Sequence, residues 1–442
     1  MKNKKSLLLS GLTALLLTSV SLQAEENFMT KIIDDANLSN FQLVKDWIVI
    51  PYVFSTESTG FSGGLGVIKT GLLQPQTTLV ATVFYGTEQD IMTNGQSDTA
   101  NLSGGMFLFT DYKLPFTDRF FFSMFGLTSY FPKAKIYYEG EIKSNKDHAL
   151  VTSGEYDVFN TTFRYVLPMG EGLDNPERLY SLKNGFAQGR EGYGGGTPFV
   201  TGETSIGIKT FYTHNQFENT DEAPFPNWDS SGLRFFLYHE NTDFDLNPSR
   251  GYQFQIQYSK DSGSENSLRN WDFLEAKYNH YLNLPTFSWT KQNIVALSAW
   301  SGYSFSWDNS ETYKDTNIDA HRPPPWEGAR LGGWYRMRGY DTDRFSDKAS
   351  LYAAAEYRAT LEYNPFRTNR FIPVAIDWFQ VVAFAEAGSV NDQYNFDLLT
   401  DMKFDVGVSL RAMAAEVPVR LDVAYGDEGM NFWVMVFQPF DY

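Results

Sequence analysis

The chain has 442 residues with 36 Lys and Arg against 53 Asp and Glu, a net charge of −17, and no Cys. Aromatics are 17 % of it (10 Trp, 26 Tyr and 37 Phe), yet the mean hydropathy is −0.35 and only 42 % is apolar. These values exclude a bundle of membrane helices, a disordered chain, a disulfide framework, thiolate chemistry and a nucleic-acid partner, which would need a basic face.

Lys2, Lys4 and Lys5 precede an apolar stretch from Leu7 to Val20, and the small residue Ala24 follows. Residues 1–24 therefore read as a secretory signal peptide, too short to span a bilayer. In the short segment 25–46, Phe28, Ile32 and Ala36 recur at helical spacing, while Asp34, Asp35 and Asn37 suit a linker equally well. Beyond it no window approaches the roughly 18 consecutive apolar residues of a spanning helix. An exported chain of this kind is a soluble envelope protein or a barrel.

The rest of the chain, 47–442, alternates with period 2. Tyr252, Phe254, Ile256 and Tyr258 interleave with Gln253, Gln255, Gln257 and Ser259. Phe404, Val406, Val408 and Leu410 interleave with Asp405, Gly407, Ser409 and Arg411, and Val419, Leu421, Val423 and Tyr425 with Arg420, Asp422 and Ala424. Strand side chains point alternately to two faces, so each segment has one apolar face and one polar or small face. Aromatics at segment ends (Trp47, Tyr52, Phe54; Phe120 to Phe122, Tyr130, Phe131) suit interfacial girdles. The fold expected is an all-β, transmembrane antiparallel β-barrel, since a closed barrel satisfies every backbone group in lipid.

About sixteen strand segments follow in order, near 47–55, 60–69, 77–86, 101–111, 119–131, 153–167, 201–213, 232–244, 250–260, 270–282, 291–305, 347–363, 375–388, 402–412, 417–426 and 431–440. The even count puts both termini on one side. Connections after even-numbered strands are mostly short, and those after odd-numbered strands include the longest, 306–346. The exception is Pro168 to Val200, which falls on the short-turn side; either it hides a hairpin or it lies under or inside the barrel, and the second is expected.

No catalytic set emerges. The five His (148, 214, 239, 280 and 321) are scattered, and none has a spacing that brings it to a Ser and an acid. No pattern suggests a metal or cofactor. Asp341 and Asp343 read as solvated acids in preference to Ca²⁺ ligands, and Gly192 to Gly196 follows no strand and opens no helix, as a phosphate cradle would. The chain is expected not to be an enzyme. On strand 12, the apolar face Leu351, Ala353, Ala355, Tyr357 puts Glu356 on the inner face. On strand 13, Val381, Ala383, Ala385, Ala387 put Glu386 inside as well. Two carboxylates on adjacent strands repel in a confined lumen.

The run Leu331-Gly332-Gly333-Trp334-Tyr335-Arg336-Met337-Arg338-Gly339-Tyr340 lies between strands 11 and 12. With Ile50-Pro51-Tyr52 through Gly64, Asn247 to Gly251, Glu356-Tyr357-Arg358 and Ala383 to Gly388, it resembles the BamA/TamA outer-membrane assembly family in motif order. The resemblance implies that the long external loop folds into the lumen and that Arg338 of Arg338-Gly339-Tyr340 meets Glu356 and Glu386. A guanidinium there would supply several donors in a fixed fork. The family commonly has Asp at the position of Glu386. The alternative is an exposed loop Arg above two hydrated acids.

Residues 25–46 are too few for a POTRA domain, so a barrel-only member is expected. Pro439 and the final Asp441-Tyr442 depart from a plain terminal Phe, and Pro439 donates nothing to a ladder. A weak seam between strands 16 and 1 is what a lateral gate requires, and also what a frayed end shows. By resemblance the chain sits in the outer membrane of a Gram-negative bacterium, contacts its lipid, and helps insert or translocate protein or lipid there. Its possible partners are unfolded barrel proteins or periplasmic factors. A passive or gated pore for small solutes is the alternative, suggested by the polar inner faces.

Overall fold

The computed structural model describes residues 48–440, apart from 57–59, 94–95, 179–180, 191–192, 198–199, 218–226, 263–269, 314–315, 325, 367–375, 415–416 and 437. The signal peptide 1–24, the segment 25–46 and Trp47 lie outside the described residues.

One antiparallel sheet of sixteen strands dominates the molecule, each strand paired with the next in sequence. Its first eight are β1 (Ile48–Thr56), β2 (Gly60–Thr70), β3 (Thr78–Thr93), β4 (Gln96–Lys113), β5 (Phe120–Ile136), β6 (Leu150–Val166), β7 (Glu203–Phe217) and β8 (Asn227–Thr242). The others are β9 (Gly251–Asp261), β10 (Asp272–Leu284), β11 (Thr290–Tyr303), β12 (Ala349–Leu361), β13 (Ile376–Asn391), β14 (Lys403–Ala414), β15 (Val417–Gly426) and β16 (Gly429–Val436). This is the expected transmembrane β-barrel. Several strands outrun the roughly 9–11 residues that cross a bilayer: β4 has 18 and β3 has 16. Residues 87–93 and 96–100, expected in a connection, are the far end of that hairpin.

The alternation read from the sequence sets which face is outside. Phe404, Val406, Val408 and Leu410 are exposed on β14, whereas Asp405, Ser409 and Arg411 are buried. The inner wall differs around the barrel. On β7, β9 and β10 it is polar, with Lys209, Asn215, Gln253, Gln257 and Asn279 buried. On β3 to β6 it is apolar: Val80, Phe84, Leu102, Met106, Leu108, Phe125, Leu127 and Val158 form one cluster with Trp334 and Tyr335 of the long loop. Phe121 and Phe131, expected in the aromatic girdles, point inward because they share a pleat face with Phe125 and Leu127.

The last strand is shorter than expected. β16 ends at Val436, and Gln438 to Phe440 turn into the lumen. There the Gln438 side chain meets Arg411, and the Phe440 carbonyl accepts from Asn279 Nδ2 on β10 at 2.8 Å. Phe440 is fully buried. Pro439 lacks the N–H that a continued ladder would need, and a buried aromatic inside the barrel replaces strand pairing outside it.

The connection 168–200 adds no strand to the sixteen-stranded sheet and takes the second course the sequence left open. It holds a small hairpin, Ser181–Lys183 with Phe186–Gln188, and that hairpin lies inside the barrel mouth.

Candidate functional site

The connection from β11 to β12 enters the lumen from the rim opposite the termini. Within it Ala329–Leu331 pairs with Phe345–Asp347, which makes a stem for the tip 332–344. Gly332 and Gly333, both expected as motif residues, turn the chain at this stem with φ of +110° and +108°, values that favour glycine. The Gly332 N–H donates to Arg336 O at 3.1 Å, and the Gly333 N–H donates to Tyr340 O at 3.1 Å. These bonds close the tip into a compact unit that presents Arg338 and Gly339 to the wall.

The wall they meet carries an electrostatic fault. Glu386 on β13 stands directly opposite Asp405 on β14, and Arg411 on β14 directly opposite Arg420 on β15. Like charges in cross-strand register destabilise a sheet. The loop bridges the acidic pair. Arg338 places its backbone N–H 2.7 Å and its Nε 3.1 Å from Glu386, while the Gly339 N–H donates to Asp405 at 3.0 Å. Arg338 Nη1 also lies 2.8 Å from Glu356 on β12 and 3.4 Å from Asp422 on β15. Arg338, Glu356, Glu386 and Asp422 are all sealed from solvent. Burial works against the charge on Arg338, but Glu386 and then Glu356 outweigh it and hold its pKa above the ordinary arginine value.

Close packing fixes this geometry. The Arg338 guanidinium stacks on the Phe384 ring at 3.5 Å. That ring lies over Gly407 of β14, where a Cβ would sit 2.2 Å from it. At Gly339 a Cβ would come within 2.6 Å of Asp405 Cβ and 2.8 Å of the Gly426 backbone nitrogen. Tyr340 is buried beside them and donates from its hydroxyl to Phe404 O at 3.1 Å. The Arg338 carbonyl in turn accepts from Trp433 Nε1 of β16 at 2.8 Å. A single loop tip thus touches β12, β13, β14, β15 and β16.

All five of Arg338, Gly339, Tyr340, Glu356 and Glu386 come together. The sequence reading missed the rest of the network. Arg411 Nη2 and Arg358 Nε each lie 2.8 Å from Glu356, and Arg420 pairs with Asp422 and donates to Trp334 O at 2.6 Å. Tyr352 donates to Glu386 at 2.5 Å. A signal existed, because Asp405, Arg411, Arg420 and Asp422 all occupy the inner phase of their strands.

Two acids differ from expectation. Asp341 and Asp343 are not simply solvated: Asp341 binds Lys135 and the Tyr137 hydroxyl, and Asp343 binds Arg330. Arg344 adds a bidentate contact with Glu428 between β15 and β16, at 2.8 to 3.1 Å. The Asp341 and Arg344 contacts tie the loop to the β5–β6 and β15–β16 turns, while Arg330–Asp343 closes the loop on its own stem. Among the described residues no group of three or more His, Asp or Glu converges to hold a metal ion.

Solved structures similar to this chain have low sequence identity to it. The chain is similar to BamA from Haemophilus ducreyi lacking POTRA domains 1–3, at 12 % identity and a TM-score of 0.46, with 88 % of this chain and 68 % of that one covered. It is also similar to CdiB from Acinetobacter baumannii (11 %, 0.48) and CdiB from Escherichia coli (11 %, 0.49). In both cases 88 % of this chain is covered, but only 58 % and 61 % of the CdiB chains, less than two thirds of either. No curated protein matches the sequence. Residues 91–432 match the Omp85 superfamily domain, more than half of the chain. The protein therefore belongs to the Omp85 superfamily, which points to a bacterial outer-membrane β-barrel.

Proposed function

We propose that this barrel assists the insertion or translocation of protein or lipid substrates in the outer membrane of a Gram-negative bacterium. Its substrates would be unfolded barrel proteins or lipid, met in the plane of the membrane. The observation that carries this reading is the seating of Arg338-Gly339 across β12 to β16. The lumen contains a buried ionic strut, which a conduit for solutes would not need. Buried charge pairs contribute little net stability compared with apolar packing, and their better attested use is to fix one arrangement among several. Here the arrangement fixed is that of the last five strands.

The test reconstitutes the full chain into vesicles of phosphatidylethanolamine and phosphatidylglycerol. A urea-unfolded outer-membrane protein is then added, and its folding is followed by heat-modifiable gel migration. Faster folding than in empty vesicles, reduced by Arg338→Ala, supports the proposal. No acceleration, together with large steady openings in planar bilayers, would replace it with the porin reading.

A further inference from the structure

A second structure closes the barrel from the other end. The chain leaves β6 at the rim that carries the termini, crosses the mouth, and returns to β7. On the near side, Arg119 donates to the carbonyls of Gly172 and Leu173 at 2.6 and 2.5 Å. Arg178 then reaches Glu203 at 2.9 Å, and the same carboxylate accepts from Arg164 at 2.8 Å. Arg164 also binds Asp111 at 3.0 Å. Arg178, Glu203 and Asp111 are buried, so these pairs lie inside the mouth.

On the far side the hairpin Ser181–Lys183 with Phe186–Gln188 docks against β13 and β14. Trp378 Nε1 donates to Gly185 O at 2.9 Å, and the Phe186 ring stacks on the Trp378 ring at 6.4 Å. Leu182, Phe186 and Ala187 pack against the lumen cluster that also holds Trp334 and Tyr335 of the long loop. The return path is pinned by Arg190 on Asp245 at 3.1 Å and by the Gly194 N–H on Asn241 O at 3.0 Å. A chord from β7 and β8 to β13 and β14 spans six strands of the sixteen, across the opening.

We infer that the described parts of this connection, 170–178, 181–190 and 193–197, act as a second gate, a strap held by the Arg178–Glu203 and Arg190–Asp245 latches and by the docking of Phe186 on Trp378. The lumen then opens along its axis only when both the long loop and this strap leave their seats. The inference holds whatever substrate the barrel handles. It makes the terminal mouth a controlled entrance, released by whatever displaces the hairpin from Trp378.

The absence of Cys makes the test direct. A Cβ at Gly185 would lie 2.8 Å from Asp377 Cβ. Gly185 has φ of +73° and its Cβ would also meet Trp378 Nε1 at 2.8 Å, so the hairpin must shift to accept Cys there, and a shift of about 1 Å reaches the Cβ separation of about 3.8 Å that a disulfide requires. Single-channel conductance is measured in planar bilayers for the full chain, for deletions of 315–345 and of 181–188, and for the double deletion. Each preparation is first checked for the heat-modifiable folded form. With two gates, each single deletion stays small and flickering. The double deletion rises by about tenfold or more, since an emptied barrel of this size leaves an aqueous channel.

In the loop-deleted chain, Gly185→Cys with Asp377→Cys should quench the residual flicker when oxidised and release it with dithiothreitol. This arm keeps the hairpin in place and does not depend on the second deletion folding. Large steady openings in the loop-deleted chain with the disulfide formed would overturn the second gate. So would a double deletion no more conductive than the loop deletion alone.

Discussion

Replacing Arg338 by Ala removes the guanidinium on which three strands, β12, β13 and β15, converge. The cost can be worked from its neighbours. Breaking a buried ion pair by deleting one partner typically costs about 3–5 kcal/mol, because the other charge stays buried. Glu356 keeps Arg358 and Arg411, and Asp422 keeps Arg420. Glu386 keeps the Tyr352 hydroxyl and the backbone N–H of residue 338, but loses its only guanidinium contact among the described residues. The expected penalty is therefore at the lower end, about 3 kcal/mol. At roughly 2 cal/mol/K per residue of unfolding entropy, that lowers the melting midpoint of a barrel this size by about 4 °C. The assay follows the fast-migrating folded form on unheated gels over a temperature ramp, with trypsin protection as a second readout. Arg336 and Arg344 are buried in wild type and should resist cleavage until the loop leaves. Arg338→Lys keeps the charge without the fork and should fall between the two. An Arg338→Ala barrel with unchanged melting and unchanged trypsin protection would refute the strut.

Three further outcomes are expected. Gly339→Ala drives a Cβ into Asp405 and the β15 backbone, so it should expose the loop to trypsin about as strongly as Arg338→Ala. Phe440→Ala should lower the melting midpoint by a similar amount or more, because emptying a buried Phe site typically costs about 3–5 kcal/mol; an unchanged midpoint would mean that the tail is not seated in solution. Burial pushes Asp347 at the loop base up to about 6. An acid whose pKa is raised by folding binds its proton more tightly when folded, so its contribution is greatest below pH 4 and is lost as pH rises through about 6. Loop melting should therefore be lower at pH 8 than at pH 5, and Asp347→Asn should flatten that difference.

Much of this was legible because barrels write their geometry in period 2. Glu356 and Glu386 were placed in the lumen by the Ala-rich outer faces of their own strands, and the position of Arg338 followed from a motif and a strand count. Other features were hidden for physical reasons. On β4 the inner Leu102, Met106 and Leu108 interleave with residues as apolar as Phe107 and Phe109, so alternation does not reveal that they face a plugged interior. The inward turn at Gln438 depends on a lumen partner, Arg411, that lies 27 residues away in sequence. The strap across the terminal mouth shows no periodicity, and only its length and position drew attention to it. The like-charge registers of Glu386 with Asp405 and Arg411 with Arg420 depend on strand offsets that composition does not carry.

The apolar inner wall of β3 to β6 has a consequence before the barrel exists. In the unfolded chain parts of these strands have no quiet face: Met106-Phe107-Leu108-Phe109 and Phe120-Phe121-Phe122 are apolar at every position. Such windows, rich in aromatics and low in charge, are the stretches most prone to stick to one another in water. The strands β12, β14 and β15, which carry Glu356 and Arg358, Asp405 and Arg411, and Arg420 and Asp422 on their inner faces, shield themselves better. Transit to the membrane is thus unevenly hazardous along the chain, and holding factors that keep it soluble would be needed most over its first third.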